Sequence, residues 1–214
     1  KIFHITPSWV SYKEHIEILK RNKDLIEINT DLENNFKLDF EYLERELKKN
    51  SEHNKLLIFN NPNNPTGIYH DREEIEKLAK LMKKYNCLVF SDEIYLNLIY
   101  GNDKKSISDY IPELTIIGSS ISKDLGCGGY RLGWLAFPTT QKELFKICKS
   151  YSSSIYSCAS TPIQYATNDM LLNRNIFNKH CDTSIKIFEF ITNKVCNLLD
   201  TTDLKFVRPN SSWY

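Results

Sequence analysis

Short apolar runs, each ending in a cluster of polar and turn residues and separated from the next by an amphipathic stretch of helix length, constrain this chain most. Lys55-Leu56-Leu57-Ile58-Phe59, Cys87-Leu88-Val89-Phe90 and Leu114-Thr115-Ile116-Ile117 are such runs. A strand that is apolar at consecutive positions must be covered on both faces, which calls for helices above and below a parallel sheet. The intervening stretches supply them. Over 71–85, Ile75, Leu78, Ala79 and Met82 recur at i, i+3, i+4 and i+7, with Glu73 and Lys77 four apart on the solvated side. Over 39–49, Phe40, Leu43 and Leu47 mark a second helix, with Asp39 as its N-cap. Strands alternating with helices of this length predict an α/β fold whose mostly parallel sheet is joined by right-handed crossovers.

Charge and cysteine usage narrow the partners. Among 214 residues, 28 Lys and Arg against 27 Asp and Glu leave a net charge of +1, which provides no global field for nucleic acid or an acidic membrane. No apolar window is long enough to span a bilayer. The six cysteines form no C-x-x-C pair, so reduced thiols of an intracellular protein are expected rather than a disulfide or zinc framework. The chain opens on Lys1 and runs directly into Ile2-Phe3-His4-Ile5, with no signal-peptide pattern ahead. That abrupt start reads as a chain lacking its beginning.

Beyond Phe137-Pro138 the texture changes. Helices are predicted over 141–149 and 163–172, joined by a serine-rich stretch over 151–160, and a longer one over 175–199 carries Ile185, Phe188, Ile191, Val195 and Leu198 on one face. A strand is predicted over 203–207. The chain stops at Trp213-Tyr214 after a turn, and one strand cannot close a second domain, so the C-terminus reads as truncated too.

The chemistry-bearing residues follow the apolar runs: Asn60-Asn61-Pro62-Asn63-Asn64-Pro65-Thr66-Gly67, then Ser91-Asp92-Glu93-Ile94-Tyr95, then Gly118-Ser119-Ser120-Ile121-Ser122-Lys123. Ligands bind an open parallel sheet at the carboxyl ends of its strands, so these loops are expected to converge. Taken singly, each reads as a turn, a cap or a solvated lysine. Gly126, Gly128, Gly129 and Gly133 do not supply G-x-G-x-x-G and argue against a dinucleotide site.

Taken together, Pro-Ser-Trp, Asn-Pro-Asn-Asn-Pro-Thr-Gly, Ser-Asp-Glu-Ile-Tyr, Ser-x-Ser-Lys and, eight residues past that lysine, Arg131 in Gly-Tyr-Arg-Leu-Gly-Trp resemble the pyridoxal-phosphate-dependent aminotransferases of classes I and II, fold type I. The resemblance is strong from Thr6 to about Pro138 and weaker to Tyr214. It implies a three-layer sandwich with a mostly parallel sheet plus the start of a smaller α+β domain. Residues 1–140 would be the cofactor-binding large domain without its N-terminal part. Helices over 141–174 would complete it, and 175–214 would be the long connecting helix and the start of the small domain.

The resemblance also implies roles. Lys123 matches the lysine that holds pyridoxal 5'-phosphate as an internal aldimine and later moves the Cα proton. Only a primary amine that can be deprotonated does both. Asp92 matches the carboxylate that keeps the pyridine nitrogen protonated, and Tyr95 and Asn64 match the donors to the phenolic oxygen. Ser120 and Arg131 match the phosphate ligands. Trp9 matches the ring that stacks on the pyridine. Tyr12, three residues past Trp9, places the chain nearer a branch of aspartate, aromatic and broad-specificity enzymes than those with histidine there.

The implied reaction moves an amino group from an L-amino acid to a 2-oxo acid in a cytoplasmic homodimer, with no nucleic acid, membrane or metal involved. Two alternatives stand beside it. One is a lyase of the same fold, since Ser-Lys-Asp-Leu-Gly resembles aminocyclopropane-carboxylate synthases, and carbon–sulfur β-lyases share the architecture. The other is the effector-sensing domain of a transcription regulator. The expected Gly-rich phosphate loop would precede Lys1, and the arginine that clamps the substrate carboxylate would follow Tyr214. That clamp role is not carried onto Arg208, and Asn210-Ser211-Ser212 replaces a usually glycine-rich turn.

Overall fold

Six strands form one sheet in the order β2-β1-β3-β4-β5-β6. They are β1 (Ile2–Thr6), β2 (Leu25–Asn29), β3 (Lys55–Asn60), β4 (Cys87–Asp92), β5 (Thr115–Ser120) and β6 (Gly133–Ala136). The first five are parallel, and β6 returns antiparallel against β5. The helices are α1 (Ser11–Ile18), α2 (Phe40–Lys49), α3 (Arg72–Lys84), α4 (Lys142–Tyr156), α5 (Thr161–Leu172) and α6 (Arg174–Leu199). The computed structural model describes residues 1–101 and 103–214.

β3 shows why its run is unbroken. Leu57 and Phe59 pack with Phe3, Ile28 and Val89 under Leu43 and Leu47 of α2 and Ile75, Leu78 and Met82 of α3. Between them, Ile58 faces the other way, onto Tyr12 and Ile16 of α1. The sheet is thus covered on both faces, and each fully buried aliphatic or phenylalanine side chain contributes about 1.5–3 kcal/mol. Asp39 and Asp71 cap α2 and α3, accepting from the amides of Tyr42 and Glu74 at 2.9 Å each. Among the described residues no helix is long and apolar enough to cross a membrane.

Two expectations from the sequence change. Only the end of the serine-rich stretch, 157–160, is a joint: α4 runs into it as far as Tyr156, and Ser154 Oγ donates back to the Ser150 carbonyl at 3.0 Å, a bond that keeps a serine within a helix. The strand expected over 203–207 is not formed. That segment has no neighbouring strand, since the sheet's edges are β2 and β6, and its alternating pattern finds no ladder.

Instead the last residues are fastened to the loop after β3. Asn210 accepts from the Tyr69 amide at 2.6 Å and donates to the Tyr69 carbonyl at 3.0 Å. The Asn210 amide and Ser211 Oγ both donate to the Gly67 carbonyl, at 3.2 and 2.8 Å. Gly67 sits at φ +65°, and a Cβ there would lie 2.7 Å from Pro209 Cβ and 2.9 Å from the Tyr214 carbonyl oxygen. Gly126 has φ +64° with nothing within 4 Å.

The two glycines therefore separate backbone strain from crowding. Gly126→Ala is expected to cost about 1–2 kcal/mol, the left-handed penalty alone. Gly67→Ala adds the overlap with Pro209 and is expected to reach about 3 kcal/mol or more. Urea denaturation measures both, and equal losses would mean that the 209–214 segment is not seated on this loop.

Candidate active site

The three polar loops leave the sheet at one edge because β3 and β4 end side by side and β5 runs only two residues further, to Ser120. Asn60 is in register with Asp92, and Asp92 with Gly118. The asparagine-rich loop is tied down by its own side chains. Asn60 Oδ1 accepts from the Asn64 amide at 2.8 Å, while Asn60 Nδ2 and the Asn61 amide donate to the Asp92 carbonyl at 3.3 and 3.1 Å. Asn63 accepts from Thr66 Oγ1 at 2.9 Å and donates to the Pro7 carbonyl at 3.3 Å, which joins this loop to the one after β1.

Asp92 ends β4 with a largely buried carboxyl. Its Oδ1 accepts from the Ile94 amide at 3.1 Å, and its Oδ2 accepts from the Tyr12 hydroxyl. Burial pushes this carboxyl above its ordinary value, and the Tyr12 hydroxyl and Ile94 amide pull it back down. Tyr12 responds in kind: burial first, and then the Asp92 charge, drives its hydroxyl far above the usual phenol range. Each Asp92 oxygen retains a lone pair for a further donor.

Tyr95 is 2% exposed. Its hydroxyl lies 2.9 Å from that of Tyr214. Its ring meets Trp213 and Tyr214 edge-on, at centroid distances of 5.4 and 5.6 Å. Burial and then the Tyr214 contact push the Tyr95 hydroxyl upward, while the side chain of Asn64 acts in the opposite direction. The Lys123 amine stands 6.0 Å from the Tyr95 ring centre and 5.7 Å from that of Trp213. It takes part in none of the ion pairs found among the described residues.

Asp92, Asn64, Tyr95 and Lys123 are therefore brought together. Ser120 is buried at the end of β5, and its Oγ accepts from the Ser122 amide at 3.0 Å. Arg131 holds a left-handed backbone, φ 56° and ψ 45°, and one of its five N–H donors goes to the Gly128 carbonyl at 2.8 Å. A non-glycine backbone kept in so sparsely populated a conformation is a feature that gathers at functional sites. A cavity of about 570 Å³ reaches from Asp92 past Gly118 and Ser119 to Arg131. Trp9 stands apart, 42% exposed and edge-on to Tyr12 and His15. Arg208 pairs with Asp200 on the surface, away from these residues.

Two contacts exceed what the sequence suggested. Tyr12 marked a branch of relatives, yet it is the donor that supports Asp92. The signal lay in its spacing of three from Trp9, which sets both on one side of the turn entering α1. Trp213 and Tyr214 wall the lysine from a segment 119 residues away from Tyr95, and no local pattern announces that.

The site thus combines an amine, a largely buried carboxyl and two phenols at the carboxyl ends of a mostly parallel α/β sheet, the place where such sheets bind ligands. The family model for aminotransferase class I and II matches residues 1–214. The aspartate/prephenate aminotransferase of Thermus thermophilus is 29% identical over 214 residues, covering 100% of this chain and 54% of that protein. A probable aspartate aminotransferase of Methanocaldococcus jannaschii is 37% identical over 163 residues, 74% of this chain and 41% of its own. The structure of Thermus thermophilus aspartate aminotransferase with maleate superposes with a TM-score of 0.90 at 29% identity, covering 99% of this chain and 53% of that one. The chain belongs to the class I and II aminotransferase family, and it spans about half the length of these curated relatives.

The raised Asp92 carboxyl has a consequence for stability. A folded-state value above the ordinary 3.8 means that the fold binds this proton more tightly than the unfolded chain does. Its contribution is complete at low pH and is lost as pH rises through the raised value. Glu93 and Asp124, shifted upward by burial as well, act with the same sign. In cofactor-free protein, Asp92→Asn should therefore be more stable than the parent at neutral pH, with the gap closing towards pH 3.8. Tyr12→Phe should cost about 1–3 kcal/mol at neutral pH, because the buried carboxylate loses a donor. Urea denaturation across pH measures both, and a destabilised Asp92→Asn would show that its hydrogen bonds outweigh its burial.

Proposed function

We propose that the protein carrying this chain is a pyridoxal-phosphate-dependent aminotransferase that moves an amino group from an L-amino acid to a 2-oxo acid. The observation that carries this reading is the Lys123 amine, without a carboxylate partner among the described residues, set over Tyr95 on the sheet edge where the largely buried Asp92 ends β4. The residues present suit the cofactor. Asp92 is anchored by two neutral donors with lone pairs left for a further one, Tyr95 and Asn64 adjoin each other, and Arg131 has N–H donors to spare.

When bound, pyridoxal phosphate supplies an aldehyde that condenses with amines, releasing water, and a ring that accepts the electron pair left when Cα loses its proton. Lys123 is the amine that would hold it and, once free, would take the Cα proton on Nζ. Asp92 would keep a proton on the pyridine nitrogen, and Asn64 and Tyr95 would donate to the phenolic oxygen. Ser120 and Arg131 would bind the phosphate. Trp9 covers the ring face, a role that requires its exposed indole to turn from its edge-on contacts. A homodimer in the cytoplasm accompanies this reading, supported by the family resemblance alone.

Full-length protein mixed with pyridoxal phosphate should develop a visible band that borohydride converts into a stable adduct, mapped to Lys123 and absent in Lys123→Ala. With 2-oxoglutarate and L-aspartate, the donor in the relatives' names, glutamate should form. Ammonia and pyruvate instead would identify a lyase, and no band at all would end the aminotransferase reading. Asp92→Asn, which keeps the shape and loses the charge, should lower the rate of transfer by about 100-fold or more.

A further inference from the structure

Asp124 follows the lysine in sequence, yet its side chain turns into the protein and is 3% exposed. Its Oδ2 accepts a hydrogen bond from Asn97 Nδ2 at 2.9 Å, while its equally buried Oδ1 has no partner among the described residues. Burial pushes the carboxyl upward, and the Asn97 amide pulls it back. The other titratable groups that act on it are His180 and Cys181 of α6, with Lys104 beyond Asn97.

The direction of the Asn97 amide is fixed. Lys104 Nζ donates to Asn97 Oδ1 at 2.7 Å. An ammonium has no acceptor, so the Asn97 oxygen faces Lys104 and its NH₂ faces Asp124. Position 124 must therefore present an acceptor, and a buried carboxylate with one oxygen unpartnered is a costly way to fill space.

The bridge joins two loops at an informative place. Asn97 lies in the 3-10 turn Leu96–Leu98, which starts at Tyr95 and is closed by the Leu98 amide on the Tyr95 carbonyl at 2.8 Å. On the other side, the Gly126 amide donates to the Lys123 carbonyl at 3.1 Å, and the Cys127 amide to that of Ile121 at 3.1 Å. Tyr95, Leu96, Asn97, Asp124 and Lys123 thus close a circuit, and its last side is the lysine amine over the tyrosine ring.

We propose that the Asp124–Asn97 bridge is a positioning device that holds the Lys123 amine against Tyr95. This rests on Lys123 being the amine that bonds the cofactor. Asp124 touches no reacting atom and acts through the lysine beside it.

The test loads full-length protein with pyridoxal phosphate and compares the parent with Asp124→Ala, Asn97→Ala and Asp124→Asn. It reads the rate at which the borohydride-stable adduct accumulates on Lys123, the pH midpoint of the visible band, and the urea midpoint of cofactor-free protein. Asp124→Ala and Asn97→Ala should slow the adduct about 10-fold or more, the scale at which a misplaced reacting group costs rate, and should move the pH midpoint. Asp124→Asn keeps an acceptor for Asn97 and should restore both. If Asp124→Ala does not fold, Asn97→Ala carries the same reading. Variants that lose urea stability but keep the parent's rate and pH midpoint overturn the proposal, as does an Asp124→Asn that behaves like Asp124→Ala. A parent with no adduct on Lys123 overturns the role of the lysine itself, and the bridge falls with it.

Discussion

The site depends on the parallel register of β3, β4 and β5. Asn60 stands beside Asp92 and Asp92 beside Gly118, two residues before β5 ends, so three loops begin within two residues of one level of the sheet. Side chains alternate along a strand, and a slip of one residue would exchange Asp92 with Ser91. Ser91 is fully buried and donates to Glu93 Oε1 at 2.8 Å. The slip would therefore bury Asp92 among groups arranged for a hydroxyl and take the carboxylate from the Tyr12 side. Apolar packing of β3 and β4 on both faces enforces the register, so the core under α2 and α3 decides where the chemistry lies.

Three buried carboxyls cluster near this edge, and each is handled in the same way. Asp92 takes a phenol and a backbone amide, Glu93 takes the hydroxyls of Ser91 and Ser106, and Asp124 takes the amide of Asn97. None of the three joins an ion pair among the described residues. Neutral donors offset part of the desolvation cost without cancelling charge. Glu93 and Asp124 direct theirs into the scaffold, and Asp92 keeps its own at the cavity.

β3, β4 and β5 were legible because consecutive apolar residues have one structural solution, whereas inner β1 was read only as an apolar start because polar His4 breaks its short run; α2 and α3 were legible because aspartate caps precede clean helical spacing. The edges were not. β2 reads Leu-Ile-Glu-Ile-Asn and is half exposed, so Glu27 interrupts its signal. β6 is exposed throughout, and nothing in Gly-Trp-Leu-Ala tells a returning strand from a loop. The serines of α4 mimic a linker until their backbone bonds are traced, and the alternation over 203–207 promised a strand that no neighbour could pair. At the site, residues placed directly after strand ends could be named. Those brought by tertiary folding, Trp213 and Tyr214, could be singled out as a motif but not located.

The contact between the Tyr95 and Tyr214 hydroxyls joins the site to a segment held by Gly67, Tyr69 and Asn210. Two events that share one bond are bound by reciprocity: by whatever factor the seating of 209–214 changes the affinity of Tyr95 for a ligand, that ligand changes the seating by the same factor. Where Tyr214 is the donor, the Tyr95 proton is free for the ligand and the two hydroxyls polarise each other. Where Tyr95 is the donor, ligand and segment compete for a single proton. A choice of hydrogen direction within one phenol pair thus sets whether closing this segment favours or opposes occupancy of the site.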